Sequence, residues 1–433
     1  MTVLSAFNNV FSQSVFTPDD LLKLERSRIY QLSPDGSELI YSVSTPRGPN
    51  ETPGAAHSTY YRMDVKSKET SLLFEEGVKG NSPLYSPDGS SIAFIKKEKG
   101  VNQVWVMPAD GGKDVQITKA KTSVTYFRWQ ADGKGIAYLA AEPMTDKEIE
   151  LKKRGYDFIY FEENIKNNQL FLVRFDTEFE ANEEQQLLPG LQIWDFEFSP
   201  DGKWLALSSS EKNLIDQQYM FRKLQILSLP EGKISMEVGN KGKLGNYVFN
   251  ENGSQLAFAA ALNMNDHAVS QAYTYSLQDK KINNHTPADF KGHISWVNWK
   301  SNDELLCYSE EGVYPKLSSI STKDDKRTIL LDAAQEGIIF SEPLFTGDHK
   351  LFVFTGNTPY DPSNIYTWNG SGGELIKLTD LNPHLSSIAF GKQEVIRFNV
   401  RDGQEIEGLL INPVGFESGK TYPLILYVHG GPE

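Results

Sequence analysis

Ser199-Pro200-Asp201-Gly202, running straight into Lys203-Trp204-Leu205-Ala206-Leu207, is the stretch whose reading decides the fold. Pro sets φ at the first turn position, the Asp side chain bonds back to the backbone, and Gly takes the positive φ that the turn requires. A hairpin turn feeding a strand is the result. The same turn stands at Ser33-Pro34-Asp35-Gly36, Ser86-Pro87-Asp88-Gly89 and Gln130-Ala131-Asp132-Gly133. Weaker copies are Asn250-Glu251-Asn252-Gly253, Ser301-Asn302-Asp303 and Thr346-Gly347-Asp348. From Gly36 through Gly89, Gly133, Gly202, Gly253, Asp303 and Asp348 the steps are 53, 44, 69, 51, 50 and 45 residues.

Alternating apolar runs follow the turns, among them Ile92-Ala93-Phe94-Ile95, Ile136-Ala137-Tyr138-Leu139, Leu256-Ala257-Phe258 and Leu351-Phe352-Val353-Phe354. Further strand-like runs come next, such as Gln103-Val104-Trp105-Val106-Met107 and Lys223-Leu224-Gln225-Ile226-Leu227. Four short strands repeated about every 50 residues around an axis predict an all-β propeller, and seven copies predict seven blades. The boundaries expected are an arm over 1–28, a propeller over 29–383 with TolB-like or WD40-like blades, and a different unit over 384–433.

The 69-residue step holds an insertion over 142–168. Residues 146–154 read as a short charged helix, and 155–163 mix acidic and aromatic side chains, ending Tyr160-Phe161-Glu162-Glu163. Insertions of this kind lie on a propeller's faces, where such folds bind. Upstream, Thr17-Pro18-Asp19-Asp20 has the order of a helix start: an N-cap Thr, Pro at the first helical position and acids in the first turn.

The grammar changes after Leu378-Thr379-Asp380-Leu381-Asn382-Pro383. Residues 394–400 and 406–411 predict a hairpin around Asp402-Gly403. Tyr422-Pro423-Leu424-Ile425-Leu426-Tyr427-Val428 is apolar without alternation, as a strand buried on both faces of an α/β sheet is. It leads into His429-Gly430-Gly431-Pro432, where a Gly pair lets backbone N–H groups face a crevice, in the manner of an oxyanion-hole loop. Without sheet neighbours, 424–428 is expected to be exposed and prone to aggregation.

Composition narrows the partners. The 433 residues carry 43 basic and 57 acidic side chains, a formal charge of −14 that argues against nucleic acid or an anionic membrane surface as the main partner. No run approaches the roughly 18 apolar residues of a membrane span, and mean hydropathy is −0.43. Residues 1–13 lack the charged and apolar regions of a secretory signal. The expected location is the cytoplasm, or the periplasm or exterior if this stretch is the remnant of a longer signal. Cys307 is the sole cysteine, which excludes an intrachain disulfide and a Cys-based zinc site and reads as a small buried hydrophobe. No phosphate-binding Gly-x-x-x-x-Gly-Lys-Ser/Thr loop, His-Glu-x-x-His or Cys-x-x-Cys occurs, so no cofactor and no metal are expected.

Taken in order, the Ser-Pro-Asp-Gly blades, 378–383, Arg401-Asp402-Gly403, Tyr422-Pro423-Leu424-Ile425 and His429-Gly430-Gly431-Pro432 resemble the prolyl oligopeptidase family of serine peptidases. Details of 155–163 and the His-Gly-Gly-Pro variant are similar to its acylaminoacyl-peptidase and dipeptidyl-peptidase branches. The resemblance implies a propeller capping an α/β-hydrolase domain, a peptide substrate, and acyl-enzyme hydrolysis by a Ser-Asp-His triad. It places His429, Gly430, Gly431 and Pro432 in the oxyanion-hole loop, and it makes Glu162 and Glu163 candidates for gripping a substrate's free amine.

No Gly-x-Ser-x-Gly elbow is present, and none of His57, His267, His285, His293, His349, His384 and His429 stands where the family has its base. Each of the seven is expected to be a surface or loop histidine. No catalytic residue is assigned, and the expectation is a truncated peptidase, inert alone and missing its hydrolase domain in cis. The competing expectation is a TolB-like propeller that binds protein or peptide and does no chemistry. Residues 394–432, which a pure propeller does not need, separate the two.

Overall fold

Ile92, Ala93, Phe94 and Ile95 are each 3% exposed or less, so the strand after the second Ser-Pro-Asp-Gly turn is buried on both faces. In the computed structural model, which describes residues 14–75, 77–158, 162–176, 179–229 and 231–428, the reason is a sandwich of sheets. Ile92 and Phe94 pack toward the preceding sheet, with Ile40 and Leu73, while Ala93 and Ile95 pack toward the following one, with Phe127 and Ile136. Alternation along the strand thus sorts apolar side chains between two neighbours, where a sheet facing water would sort apolar from polar.

Seven antiparallel sheets follow one another along the chain: blade 1 over 26–72, blade 2 over 80–116, blade 3 over 124–187, blade 4 over 192–237, blade 5 over 244–284, blade 6 over 293–332 and blade 7 over 339–377. The first six have four strands in sequential order. In blade 7 the inner strand is split into Ile339–Phe340 and Leu344–Phe345, both pairing with Phe352–Asn357. Pro343, without an N–H to donate, lies in the gap. A buried apolar cluster fills each of the seven blade-to-blade junctions, including the one where Val353 and Ile365 of blade 7 meet Leu39 and Tyr41 of blade 1. Each fully buried Leu, Ile or Phe contributes about 1.5–3 kcal/mol, so these junctions dominate the stability.

The turns behave as their chemistry dictates. Ser33 Oγ donates to Asp35 Oδ1 at 2.6 Å and accepts from Glu38 N at 2.9 Å, while Gly36 sits at φ +74°. In the weaker copy of blade 7, His349 occupies the left-handed position at φ +55°, stacks on Phe345 at 4.9 Å and bonds the Trp299 carbonyl through Nε2 at 3.1 Å. A side chain that ties blade 7 to blade 6 offsets the cost of this conformation.

No sheet among the described residues mixes strands of the first and last blades. The seam is held instead by side chains and backbone. Asn382 is buried and clasps Glu25, accepting from its N–H and donating to its carbonyl, both at 2.9 Å. Ser27 N donates to Ser363 Oγ at 3.0 Å. Beyond the ring, Ser14–Val15 pairs in parallel with Ile388–Ala389, and the short helix Pro18–Leu21 follows, its Asp20 carboxylate accepting from Thr17 N at 2.9 Å.

The hairpin expected near 394–411 is present as Gln393–Asn399 and Glu405–Ile411. The strand expected over 424–428 is not formed: these residues pair with no described strand and their side chains are 74–92% exposed. A strand buried on both faces needs a neighbour on each side, and no described residue supplies one. Cys307 is fully buried in the second strand of blade 6, as expected. Among the described residues no helix is long and apolar enough to cross a membrane, which says nothing of β-barrels.

Candidate functional site

The Ser-Pro-Asp-Gly turns join inner to second strands and so share one face of the ring. The connections from second to third strands emerge on the opposite face, called here the loop face. It carries the blade 3 insertion between Gly135–Ala141 and Asn168–Phe175, the blade 4 helix Ile215–Tyr219 and the blade 5 segment 262–269. The post-propeller hairpin docks there too. Glu407 accepts from Val313 N at 3.1 Å, in the blade 6 turn of that face, and is anchored by Arg397 at 2.7 Å.

Within the insertion the helix spans Asp146–Lys153, with Glu148 accepting from Thr145 N at 2.6 Å and pairing with Lys166 at 2.8 Å. Glu162 and Glu163 follow on an exposed turn, Glu162 at φ +65°. Neither carboxylate has a hydrogen bond or ion pair among the described residues, and no other sequence-predicted site residue is brought to them. The Tyr160-Phe161 part of that motif lies outside the described residues.

In six blades the inner-strand register slips near its loop-face end, at 29/31, 81/84, 124/126, 193/195, 244/247 and 294/296. Bulges of this kind re-aim side chains, and here they border the axial channel. Arg128 and Glu197 meet in the channel wall at 3.6 Å, each with more than a third of its side chain open to the channel. Although part of its side chain stays exposed, desolvation among the inner strands pushes the Glu197 carboxyl above its ordinary value, while Arg128 pulls the other way. Asp195 gathers Ser208 Oγ at 2.5 Å, the Tyr247 hydroxyl and Arg222 Nη1 at 3.2 Å.

Beside this network a pocket of about 470 Å³ opens on the loop face between blades 4, 5 and 6. Arg222, Lys243, His293 and Glu310 line it. None of these was picked out by sequence reasoning, because they come from three blades and share no motif. Only the bulged inner strands could have hinted at them.

Comparisons with known proteins bear on this arrangement. No protein-family model matches the chain. It is 26% identical over 482 aligned residues to dipeptidyl-peptidase 5 of Aspergillus fumigatus, covering 96% of this chain and 64% of that protein. The acylaminoacyl peptidase of Pyrococcus horikoshii superposes with a TM-score of 0.70 at 16% identity, over 96% of this chain and 62% of that one. The β-propeller domain of the Trilobed protease of Pyrococcus furiosus, described as having an open velcro topology, superposes with a TM-score of 0.56 at 16% identity. That match covers 82% of this chain and 99% of the domain. These similarities are all to peptidases and agree with the resemblance to the prolyl oligopeptidase family.

It spans about two thirds of the length of the curated relatives it matches. The stretch His429 to Pro432, expected to form an oxyanion-hole loop, lies outside the described residues. The other six histidines do not all behave as surface groups. His285 is a loop histidine, as expected, but a buried one: it is 5% exposed, bonding Thr274 Oγ1 through Nε2 at 2.8 Å and Asp325 through Nδ1 at 2.7 Å. The bonding order mimics the triad of the family, yet Thr274 is 1% exposed and no substrate reaches it. This Thr-His-Asp chain staples blade 5 to blade 6. His57 pairs with Glu51 at 3.0 Å on the surface, and His349 serves its turn.

Proposed function

We propose that this propeller is the substrate-admitting part of a serine peptidase that hydrolyses short peptides through an acyl-enzyme. The observation that carries the reading is the hairpin 393–411, which continues past the last blade and docks by Glu407 on the face that also bears the insertion and the channel mouth. In this reading 1–28 is an arm, 29–383 the propeller, and residues from 384 open an α/β-hydrolase domain. A serine supplied by that domain attacks the scissile carbonyl, a histidine takes its proton and returns it to the leaving amine, and water then releases the acyl group. Backbone N–H groups of Gly430 and Gly431 stabilise the oxyanion. Glu162 and Glu163, with no hydrogen bond or ion pair among the described residues, receive the substrate's α-ammonium.

A serine-reactive phosphonate tests this. The 433-residue chain should remain unlabelled, and protein from the reading frame extended beyond residue 433 should label stoichiometrically and cleave dipeptidyl anilides. In the extended protein, Glu162→Gln with Glu163→Gln should raise KM for free-amine substrates and leave N-acetylated ones unchanged. Stoichiometric labelling of the 433-residue chain, or no labelling of the extended protein, would overturn the reading.

A further inference from the structure

The pocket between blades 4, 5 and 6 has the donor set of an anion site. Arg222 is held by Asp195 through Nη1 at 3.2 Å and by the Leu244 carbonyl through Nη2, and its Nε is buried without a partner. Lys243 is 17% exposed and reaches Asp266 at 3.1 Å, on the solvent side, where Asp266 is 54% exposed. Lys243 is thus held by an exposed carboxylate, which solvent can replace. His293 accepts the Ser270 N–H on Nδ1 at 3.2 Å, so the neutral ring carries its proton on Nε2, which has no partner among the described residues. Burial holds the ring's pKa below its ordinary value and so keeps it neutral. The Ser295 hydroxyl, at the bulge of the blade 6 inner strand, is likewise buried and unpartnered.

Donors therefore outnumber acceptors in the lining, and the one carboxylate among its side chains, Glu310, faces His293 across the strand pair. Tyr219 and Val269, 52% and 45% exposed, form an apolar rim. We propose that this pocket is a subsite for a peptide carboxylate, bound by Lys243 and His293, with an adjoining apolar side chain against Tyr219 and Val269. The carboxylate is either the peptide's C-terminus or an acidic side chain. The inference rests on the peptidase reading and adds to it a substrate class: short peptides with a negative charge near an apolar residue.

Calorimetric titration of the 433-residue chain tests it with three probes: Ala-Ala-Phe as the free acid, the same peptide as its C-terminal amide, and Ala-Glu-Phe amide. At least one acid should bind about tenfold more tightly than the neutral amide, and whichever acid prevails identifies the source of the charge. Lys243→Gln and His293→Gln should each erode the preference several-fold without changing amide binding. Glu310→Gln should strengthen acid binding, an opposite sign that a merely structural role would not produce. Equal binding of acids and amide, no binding of any probe, or a preference that survives the Lys243→Gln/His293→Gln double variant overturns the subsite. The peptidase reading is judged separately by phosphonate labelling, so the two can fail independently.

Discussion

A ring that closes without a shared strand should open first at its seam, and Asn382 is the group to perturb there. Its amide accepts from Glu25 N and donates to Glu25 O, both at 2.9 Å, with a longer contact to the Pro362 carbonyl at 3.4 Å. Asn382→Asp preserves size and the bond from Glu25 N, but it turns a carboxylate oxygen toward two carbonyls. Losing one good hydrogen bond costs about 0.5–1.5 kcal/mol, and stranding a buried polar group about 1–3 kcal/mol more. The sum, about 1.5–4.5 kcal/mol, should raise the opening equilibrium of the seam by about 10- to 2000-fold. Hydrogen exchange read by mass spectrometry resolves where this happens. Amides of blade 1 and blade 7 should exchange faster by that factor, while blades 3 and 4 stay within about twofold of the parent, since local opening does not require global unfolding. Asn382→Ala, which introduces no charge, should give a smaller effect at the same places. Uniform acceleration in all seven blades would refute the reasoning by showing that the ring opens as one unit. So would an unchanged seam.

Two further outcomes can be checked on the same protein. Cys307 is fully buried, and burial pushes its thiol up to about 12, so it should ignore a thiol reagent in buffer and react once per chain in urea; rapid labelling of the native protein would contradict the packing of blade 6. The turn carboxylates predict the acid limb of stability: hydrogen bonds from the Ser33 and Thr346 side chains, foremost, hold Asp35 and Asp348 down to about 2. An unfolded Asp titrates near ~3.9, so this contribution is complete above that pH and is lost as the pH falls from about 4 toward 2. Glu197 and Glu342, both raised by burial, act in the opposite sense, and their cost fades as the pH falls toward the ordinary glutamate value. The urea midpoint should therefore hold or rise slightly from pH 7 to 5 and decline only below 4. Asp35→Asn with Asp348→Asn should shrink that decline, and a midpoint that falls steadily from pH 7 would count against the assignment.

Much of the architecture was legible in the residue order because turn chemistry is local. Ser33, Asp35 and Gly36 satisfy one another within four residues, and the strands on either side alternate whatever the rest of the chain does. Seven such turns imply seven blades, and the long step between Gly133 and Gly202 locates the insertion that bears Glu162 and Glu163. Burial of a lone cysteine and the hairpin after Pro383 follow from similarly short-range patterns. Less legible was whatever depends on distant partners. Residues 424–428 stand exposed as expected but form no strand, since apolarity creates a demand for neighbours without supplying them. His285 looked like one more loop histidine, and its two bonding partners sit in different blades.

Residue order by itself determined the repeat, the turn conformations and the strand pattern, because each depends on side chains a few positions apart. Only the tertiary structure decided that Asn382 closes the ring on Glu25, 357 residues away, and that Arg222, Lys243 and His293 face one pocket. Those relations depend on the angle through which each blade is rotated about the axis and on the bulges that turn inner-strand side chains. Both are set by how seven apolar interfaces pack at once, which no local stretch of sequence encodes.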